Sequence, residues 1–315
     1  MGLKDNRPVG EHEFYCCGAR VLIKGGKIKV LTEPRIKQCP LHEMLYGTKE
    51  LNKASVENSV ETKIQTFGFC CEDRAFSDSK IVPYGSSEII SVCMKKKILD
   101  CAVTVCEGAG TVVTDNPRLV QAIGARLTGI VRTSPIRTTI KYIRKNGGTP
   151  IDANTAKIDQ TQGILKAAEL GFHRIAVTVA SFDSHSIENI RKVEKKHRFE
   201  AAIFSVCNTC ADKTDAERIS AGADIVCASA SKIIRDKIGP KALLQLGVGI
   251  PVFALTKLGK NLLLTYLMEF DEKIVAFRTR RLPYIIEARS PKLKDTKNSK
   301  HKCSALNQNR EKREK

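Results

Sequence analysis

The sequence predicts an α/β fold, a mainly parallel or mixed sheet covered by helices, with a smaller N-terminal α+β portion. Three observations predict it. From Arg174 to Glu269, β-branched apolar runs alternate with helical segments, the rhythm of strand–helix–strand units. Upstream, an apolar run from Asp100 stops at Cys106-Glu107 and a Gly108-Ala109-Gly110 turn, then resumes as Thr111-Val112-Val113. Near the N-terminus, Arg20–Ile23 and Lys27–Val30 flank Lys24-Gly25-Gly26, a hairpin signal. The expected division is 1–98 for the α+β portion, 99–285 for the α/β domain, and 286–315 for a basic disordered tail.

The elements follow in order. A short helix starts at Leu41, behind Cys39-Pro40. Residues 49–67 read as a helix with Leu51, Ala54, Val56, Val60 and Ile64 as its apolar positions, and 88–97 as another. Beyond Asp115-Asn116-Pro117 a helix-like run passes through Gln121, Gly124, Arg126 and Gly129. Residues 134–145 form a helix stopped by Asn146-Gly147-Gly148, 149–152 a short strand, and 161–170 a helix closed by Gly171. Strands at 174–179, 201–206 and 224–228 then alternate with helices at 186–197, 212–221 and 231–237. Strands at 243–248 and 251–255 and a helix at 259–269 complete the pattern. Right-handed crossovers place the carboxyl ends of parallel strands on one edge, where such sheets bind ligands.

That edge holds the candidate site. Cys106, Glu107, Asp115 and Arg126 are the candidate catalytic residues, because a thiol and a carboxylate at a strand end can ligate a metal or move a proton. Gly108, Gly110, Asn116 and Asp152 are the candidate cofactor-binding residues. Glycines admit positive φ and let backbone N–H groups cradle an anion. The plainer readings are a tight turn for the glycines, a buried thiol for Cys106, and capping for Asp152. Cys207-Asn208-Thr209-Cys210 lies between a strand and a helix start, where the helix dipole would favour thiolate and a metal or redox role. Two further thiol pairs occupy similar frames, Phe14-Tyr15-Cys16-Cys17 and Gly68-Phe69-Cys70-Cys71. With Cys39 and His42 they form a second set of soft ligands, although neighbouring side chains on a strand face opposite ways. An iron–sulfur cluster or another soft metal is the expected cofactor class.

Composition bounds the rest. Net charge is +19, from 53 basic and 34 acidic residues in 315, and aromatic residues are only 5% with no Trp. The basic body suits docking on an acidic enzyme or on RNA, but its lysines are not interleaved with stacking aromatics as in RNA platforms. No apolar run reaches the ~20 residues of a membrane helix, and Met1–Pro8 carries no apolar signal core. A cytoplasmic location without a membrane partner is expected. In a reducing cytosol the twelve cysteines would be thiols rather than disulfides.

Val105-Cys106-Glu107-Gly108-Ala109-Gly110-Thr111-Val112-Val113, with Asn116-Pro117 and Gly124-Ala125-Arg126-Leu127-Thr128-Gly129, is similar to the methanogenesis marker protein 8 family. The similarity continues through Gly147-Gly148, Ile151-Asp152, Ile158-Asp159-Gln160 and Ile175–Ala180, and resumes at Leu243-Leu244-Gln245 and Pro251–Leu255. It covers residues from about 21 to about 283. The resemblance implies a cytoplasmic protein of methane-producing archaea, serving to make, load or maintain methanogenesis enzymes or cofactors. Those enzymes or their maturation factors are the implied partners. It assigns no catalytic residue. Two other readings stand beside it. One is an enzyme acting on a phosphorylated small molecule, with the glycine turn as anion nest and Glu107 as base. The other is a noncatalytic docking module.

Overall fold

The computed structural model describes residues 6–126 and 128–294. The N-terminal elements are β1 (Glu11–Cys16), β2 (Ala19–Lys24), β3 (Lys27–Val30), β4 (Ile36–Gln38), α1 (Pro40–Tyr46), α2 (Lys53–Phe67) and α3 (Ser86–Lys95). The middle third holds β5 (Cys101–Cys106), β6 (Gly110–Thr114), α4 (Pro117–Gly124), β7 (Gly129–Thr133), α5 (Arg137–Lys145), β8 (Gly148–Pro150) and α6 (Gln160–Glu169). The last third holds β9 (Arg174–Ala180), α7 (His185–His197), β10 (Glu200–Val206), α8 (Lys213–Gly222), β11 (Ile225–Cys227), α9 (Lys232–Ile238), β12 (Leu244–Leu246), β13 (Val252–Ala254), α10 (Lys257–Met268) and β14 (Lys292–Leu293).

The larger sheet has the order β12-β13-β11-β10-β9-β5-β6-β8. Its four central strands, β5, β9, β10 and β11, are parallel. Antiparallel strands extend it on both sides. The fold is therefore the mixed α/β sheet that the sequence predicts. The central strands are apolar on both faces because both faces are covered. Cys101, Val103, Ile175, Val177, Ala201 and Ile203 share one core with residues of α6–α9. The alternating neighbours Ala102, Ala176, Ala202 and Phe204 share another with α3, α4 and α10. Strands β12 and β13 form an antiparallel pair rather than a further crossover; Gly247, between them, has φ +74°.

The smaller sheet, β3-β2-β1-β7, is antiparallel. Its last strand corrects the helix-like reading through Gly129. Helix α4 stops at Gly124, and Gly129–Thr133 pairs with β1 across more than a hundred residues of chain. Helix α2 covers this sheet, packing Val56, Val60 and Ile64 against Phe14, Val21, Ile23 and Phe69. Residues 286–294 open the stretch read as a disordered tail, yet they include β14, which pairs with β4. The remainder of that tail lies outside the described residues. Among the described residues no helix is long and apolar enough to cross a membrane.

The smaller sheet sits on the carboxyl edge of the parallel strands. Val105 and Ile158 pack against its core. The Gly108 N–H donates to Thr133 Oγ1 at 2.7 Å, and Thr133 Oγ1 lies 2.6 Å from His12 Nδ1. His12 Nε2 lies 2.7 Å from the Val9 carbonyl, so that nitrogen carries the proton and Nδ1 accepts from Thr133. The Cys210 thiol donates to the Gly18 carbonyl at 3.6 Å. The first bonds tie the end of β7 and the start of β1 to the turn after β5, and the last ties the β1–β2 turn to the loop after β10.

Candidate functional site

The acid–thiol corner is interior. Glu107 is 1% exposed and forms an ion pair with Arg74, which is itself buried. Cys106 is fully buried, and its thiol donates to the Glu107 carbonyl at 3.3 Å and to Oε2 at 3.6 Å. Burial, and then the Glu107 charge, push the Cys106 thiol well above its ordinary value. It is a neutral hydrogen-bond donor there, not a nucleophile. Arg126 joins this corner: it feels both Arg74 and Glu107, and burial first, then Arg74, pull it down to about 10.

The glycine turn has the expected backbone and not the expected opening. Gly108 and Gly110 have φ +77° and +70°. The space beside Gly110 is filled by the carbonyls of Ala156 and Lys157, and that beside Gly108 by Ile136. Carbonyl oxygens would repel an anion, so this turn is not a nest for one. Antiparallel pairing also scatters the remaining residues. Cys106 pairs with Gly110, whereas Thr114 pairs with Ala102. Asp115 and Asn116 therefore lie at the opposite edge of the sheet, on the order of 17 Å or more from Cys106 at ~3.3 Å per residue. Asp115 is exposed. Asn116 caps α4, accepting from Arg118 N at 3.0 Å and Leu119 N at 3.4 Å. Asp152 is engaged in its own turn, accepting from the N–H groups of Asn154 and Thr155 and from the Thr155 hydroxyl.

Cys207 and Cys210 depart from the helix-start reading. Helix α8 begins at Lys213 behind the cap Asp212, so neither thiol meets its dipole. Burial pushes Cys207 up to about 12, Cys227 adding and Lys63 opposing. Among the described residues no group of three or more His, Cys, Asp and Glu side chains is placed to hold a metal ion. The residues present therefore do not fit a preassembled iron–sulfur or soft-metal cage. The eleven described cysteines are all free thiols.

What the fold does assemble is a thiol–lysine seam beside the corner. The buried stripe of α2 is Ser55-Val56, Ser59-Val60 and Lys63-Ile64. It repeats every four residues, and half of it is polar. Lys63 is only 3% exposed. Burial pulls this ammonium down, but the Cys16 thiolate, with Tyr46 and Cys17, outweighs that and raises it. The reciprocal effect falls on Cys16. Neighbouring Cys17, joined by Lys63 and Ser59, outweighs burial and lowers Cys16 to about 6. Ser59 Oγ lies 3.8 Å from its sulfur. Cys17 moves the opposite way, raised by Cys16 and by burial.

Around this pair stand Tyr46, with Lys63 Nζ 5.9 Å from its ring centre, and His42, whose ring lies 4.7 Å from that of Tyr46. Cys17, Cys207 and Ser229 line the neighbouring loops, are half-buried, and hold left-handed φ of 52°, 53° and 50°. Non-glycine residues in that region store strain, which gathers at functional sites. The adjacent pair Cys70-Cys71 resembles Cys16-Cys17 in sequence only. It has no lysine beside it, and burial raises both thiols, Cys71 to about 12.

The model of a family of uncharacterised proteins conserved in archaea, DUF2099, matches residues 12–268. The chain belongs to this family. It is also similar to an uncharacterised protein of Methanocaldococcus jannaschii, 38% identical over 259 residues, spanning 82% of this chain and 90% of that one.

The family match takes in every residue of the seam, from Cys16 to Cys227, and leaves out the segment after Met268. Two of the seam's central residues, Lys63 and Tyr46, carry no motif in the sequence. The signal that finds Lys63 is positional: it falls in register with the apolar stripe of α2 instead of on the polar face. Arg74 also lines a hollow of about 320 Å³, together with Glu72, Asp73, Phe76, Thr138, Thr139 and Tyr142. Phe76 and Tyr142 stack there at 4.2 Å.

Proposed function

We propose that this family member is an accessory protein of methanogen metabolism that acts through a thiolate at Cys16. The observation that supports this is the buried Cys16–Lys63 pair. A lysine is among the residues least often buried; Lys63 has no carboxylate partner among the described ion pairs, and Ser59, one turn before it on α2, lies 3.8 Å from the Cys16 sulfur. Thiolate is the reactive form of cysteine, and a neighbouring cation is the usual way to stabilise it. In this reading Cys16 sulfur forms a bond to an electrophilic carbon of the ligand. The leaving group departs with its bonding pair and takes a proton from the Lys63 ammonium. The methanogen source of the relative, and the resemblance to methanogenesis marker protein 8, support enzyme maturation or cofactor handling as the setting.

Iodoacetamide labelling, read thiol by thiol by mass spectrometry across pH, tests it. The expected rate for Cys16 rises with a midpoint near 6, whereas buried Cys93, which burial raises to about 12, stays unreactive. Lys63→Met should move the Cys16 midpoint upward. A Cys16 no faster than Cys93 at pH 7 would end the proposal.

A second reading keeps the ligand beside Glu107. The hollow beside Arg74 favours it, because Arg74 forms both the wall of that hollow and the partner of Glu107. Glu107→Gln would then weaken binding of a small molecule that protects Tyr142 from modification.

A further inference from the structure

In the corner beside the seam, two buried guanidinium groups stand near one carboxylate. Glu107 pairs with Arg74, whose remaining N–H groups reach the carbonyls of Ala75 and Ala122. Arg126 is left over. It is 4% exposed, lies flat on Phe67 with Cζ 3.9 Å from the ring centre, and its Nε has no hydrogen-bond partner. Phe67 is one turn beyond Lys63 on α2, so Arg126 lies against the helix face that carries Lys63. His42 is 5% exposed, and neither ring nitrogen makes a well-aligned hydrogen bond, although the Thr48 backbone lies close. Tyr46 touches His42 and Lys63 and lies within electrostatic reach of Arg126.

The charges around Tyr46 do not cancel. Glu107 pairs with one of two buried arginines, and neither Arg126 nor Lys63 has a carboxylate partner among the described ion pairs. His42 is neutral, since burial and then Lys63 pull it down to about 4. A buried guanidinium without a carboxylate of its own remains, together with unpartnered nitrogens on two enclosed side chains. Folded chains rarely leave either uncompensated, because an orphaned buried donor forfeits its hydration without replacement.

We propose that Arg126, His42 and Tyr46 form an anion subsite, and that the ligand brought to Cys16 carries an oxyanion: a carboxylate, phosphate or sulfonate. The planar guanidinium matches such a group, which spherical chloride does not. Half-buried Tyr46 and Cys17 give the route from solvent. The ligand's second end then meets Cys16; only this last clause rests on the thiolate reading above.

Thermal denaturation and calorimetry with phosphate, sulfate, acetate and methanesulfonate, each against sodium chloride at matched ionic strength, test the subsite. At least one oxyanion should raise Tm by about 2–4 °C at saturation and slow labelling of Cys16 by iodoacetamide; the ranking of the four identifies the oxyanion. Arg126→Met should abolish the effect while leaving the anion-free Tm unchanged or higher, since it removes an uncompensated charge. An arginine with a merely structural role would lower it. Arg126→Lys keeps the charge without the fork and should weaken binding about tenfold. Equal effects of oxyanions and chloride, or undiminished binding by Arg126→Met, would overturn the proposal. Anion binding that depends on Arg126 beside an unreactive Cys16 removes the thiolate reading alone. A reactive Cys16 with no anion effect removes this one alone.

Discussion

Cys16 and Cys106 are both buried thiols at strand ends, and their surroundings send them opposite ways. Cys106 stands beside a carboxylate and stays protonated, whereas Cys16 stands by Cys17 and Lys63. The consequence for stability has a definite sign. Because the folded state lowers Cys16, the unfolded chain binds more protons between about 6 and the ordinary thiol value. Stability from this group therefore grows with pH across that window and is lost as pH falls through it. His42 acts lower on the scale: its neutral form is favoured, so stability falls as pH drops from 6.5 towards about 4. A shift of that size corresponds to about 3 kcal/mol. Burial lowers His12 as well, adding to the same trend. Urea unfolding measured at stepped pH should show the loss, and His42→Phe should flatten it. An unchanged acid limb in that variant would show that His42 does not titrate on unfolding.

At the scale of elements, the residues first read as cofactor contacts hold the backbone together. Asn116→Ala should lower stability by about 1 kcal/mol, the usual worth of an N-cap, and leave ligand binding intact. The glycine turn makes a sharper contrast. Gly110→Ala combines a left-handed backbone with a collision against the Ala156 and Lys157 carbonyls. Gly25→Ala has the same backbone problem at φ +58° but open space around it. The second should cost about 1 kcal/mol and the first clearly more, by chemical denaturation. Equal losses would mean that the loop at 156–157 moves aside easily. Helix α2 shows how an element serves two purposes: Val56, Val60 and Ile64 seal the small sheet, while Ser59 and Lys63 deliver polarity to Cys16.

For the whole molecule, the joint between the two sheets determines what the site can be. Arg74, from the segment after α2, meets Glu107 at the end of β5, and this ion pair is closed from solvent. Breaking it by Glu107→Gln should destabilise by about 3–5 kcal/mol, because Arg74 is left buried and unpaired. Replacing both partners with Met and Leu should recover most of that loss. If Glu107→Gln is instead as stable as the wild type and abolishes ligand binding, Glu107 is a working residue and the hollow beside Arg74 gains weight as the site. Thr133→Val would leave the Gly108 N–H without an acceptor and should lower the melting temperature measurably.

Much of the architecture is legible locally. The central strands at 174–180 and 200–206, and the helices between and after them, follow from hydrophobic period and stop signals that act over a few residues. The thiols Cys16, Cys17 and Cys39, and the imidazole of His42, stand out in the chain as well. Their meaning does not, because it depends on partners distant in sequence. Lys63 becomes a counter-ion only when α2 is laid on β1. Asp115 and Asn116 are separated from Cys106 only because β6 turns back on β5. Cys207 loses its helix dipole because a 3-10 turn intervenes before α8. A sequence carries side-chain chemistry and short-range periodicity by itself; which charges meet in a dry interior is a matter of long-range pairing, and that the tertiary structure alone decides.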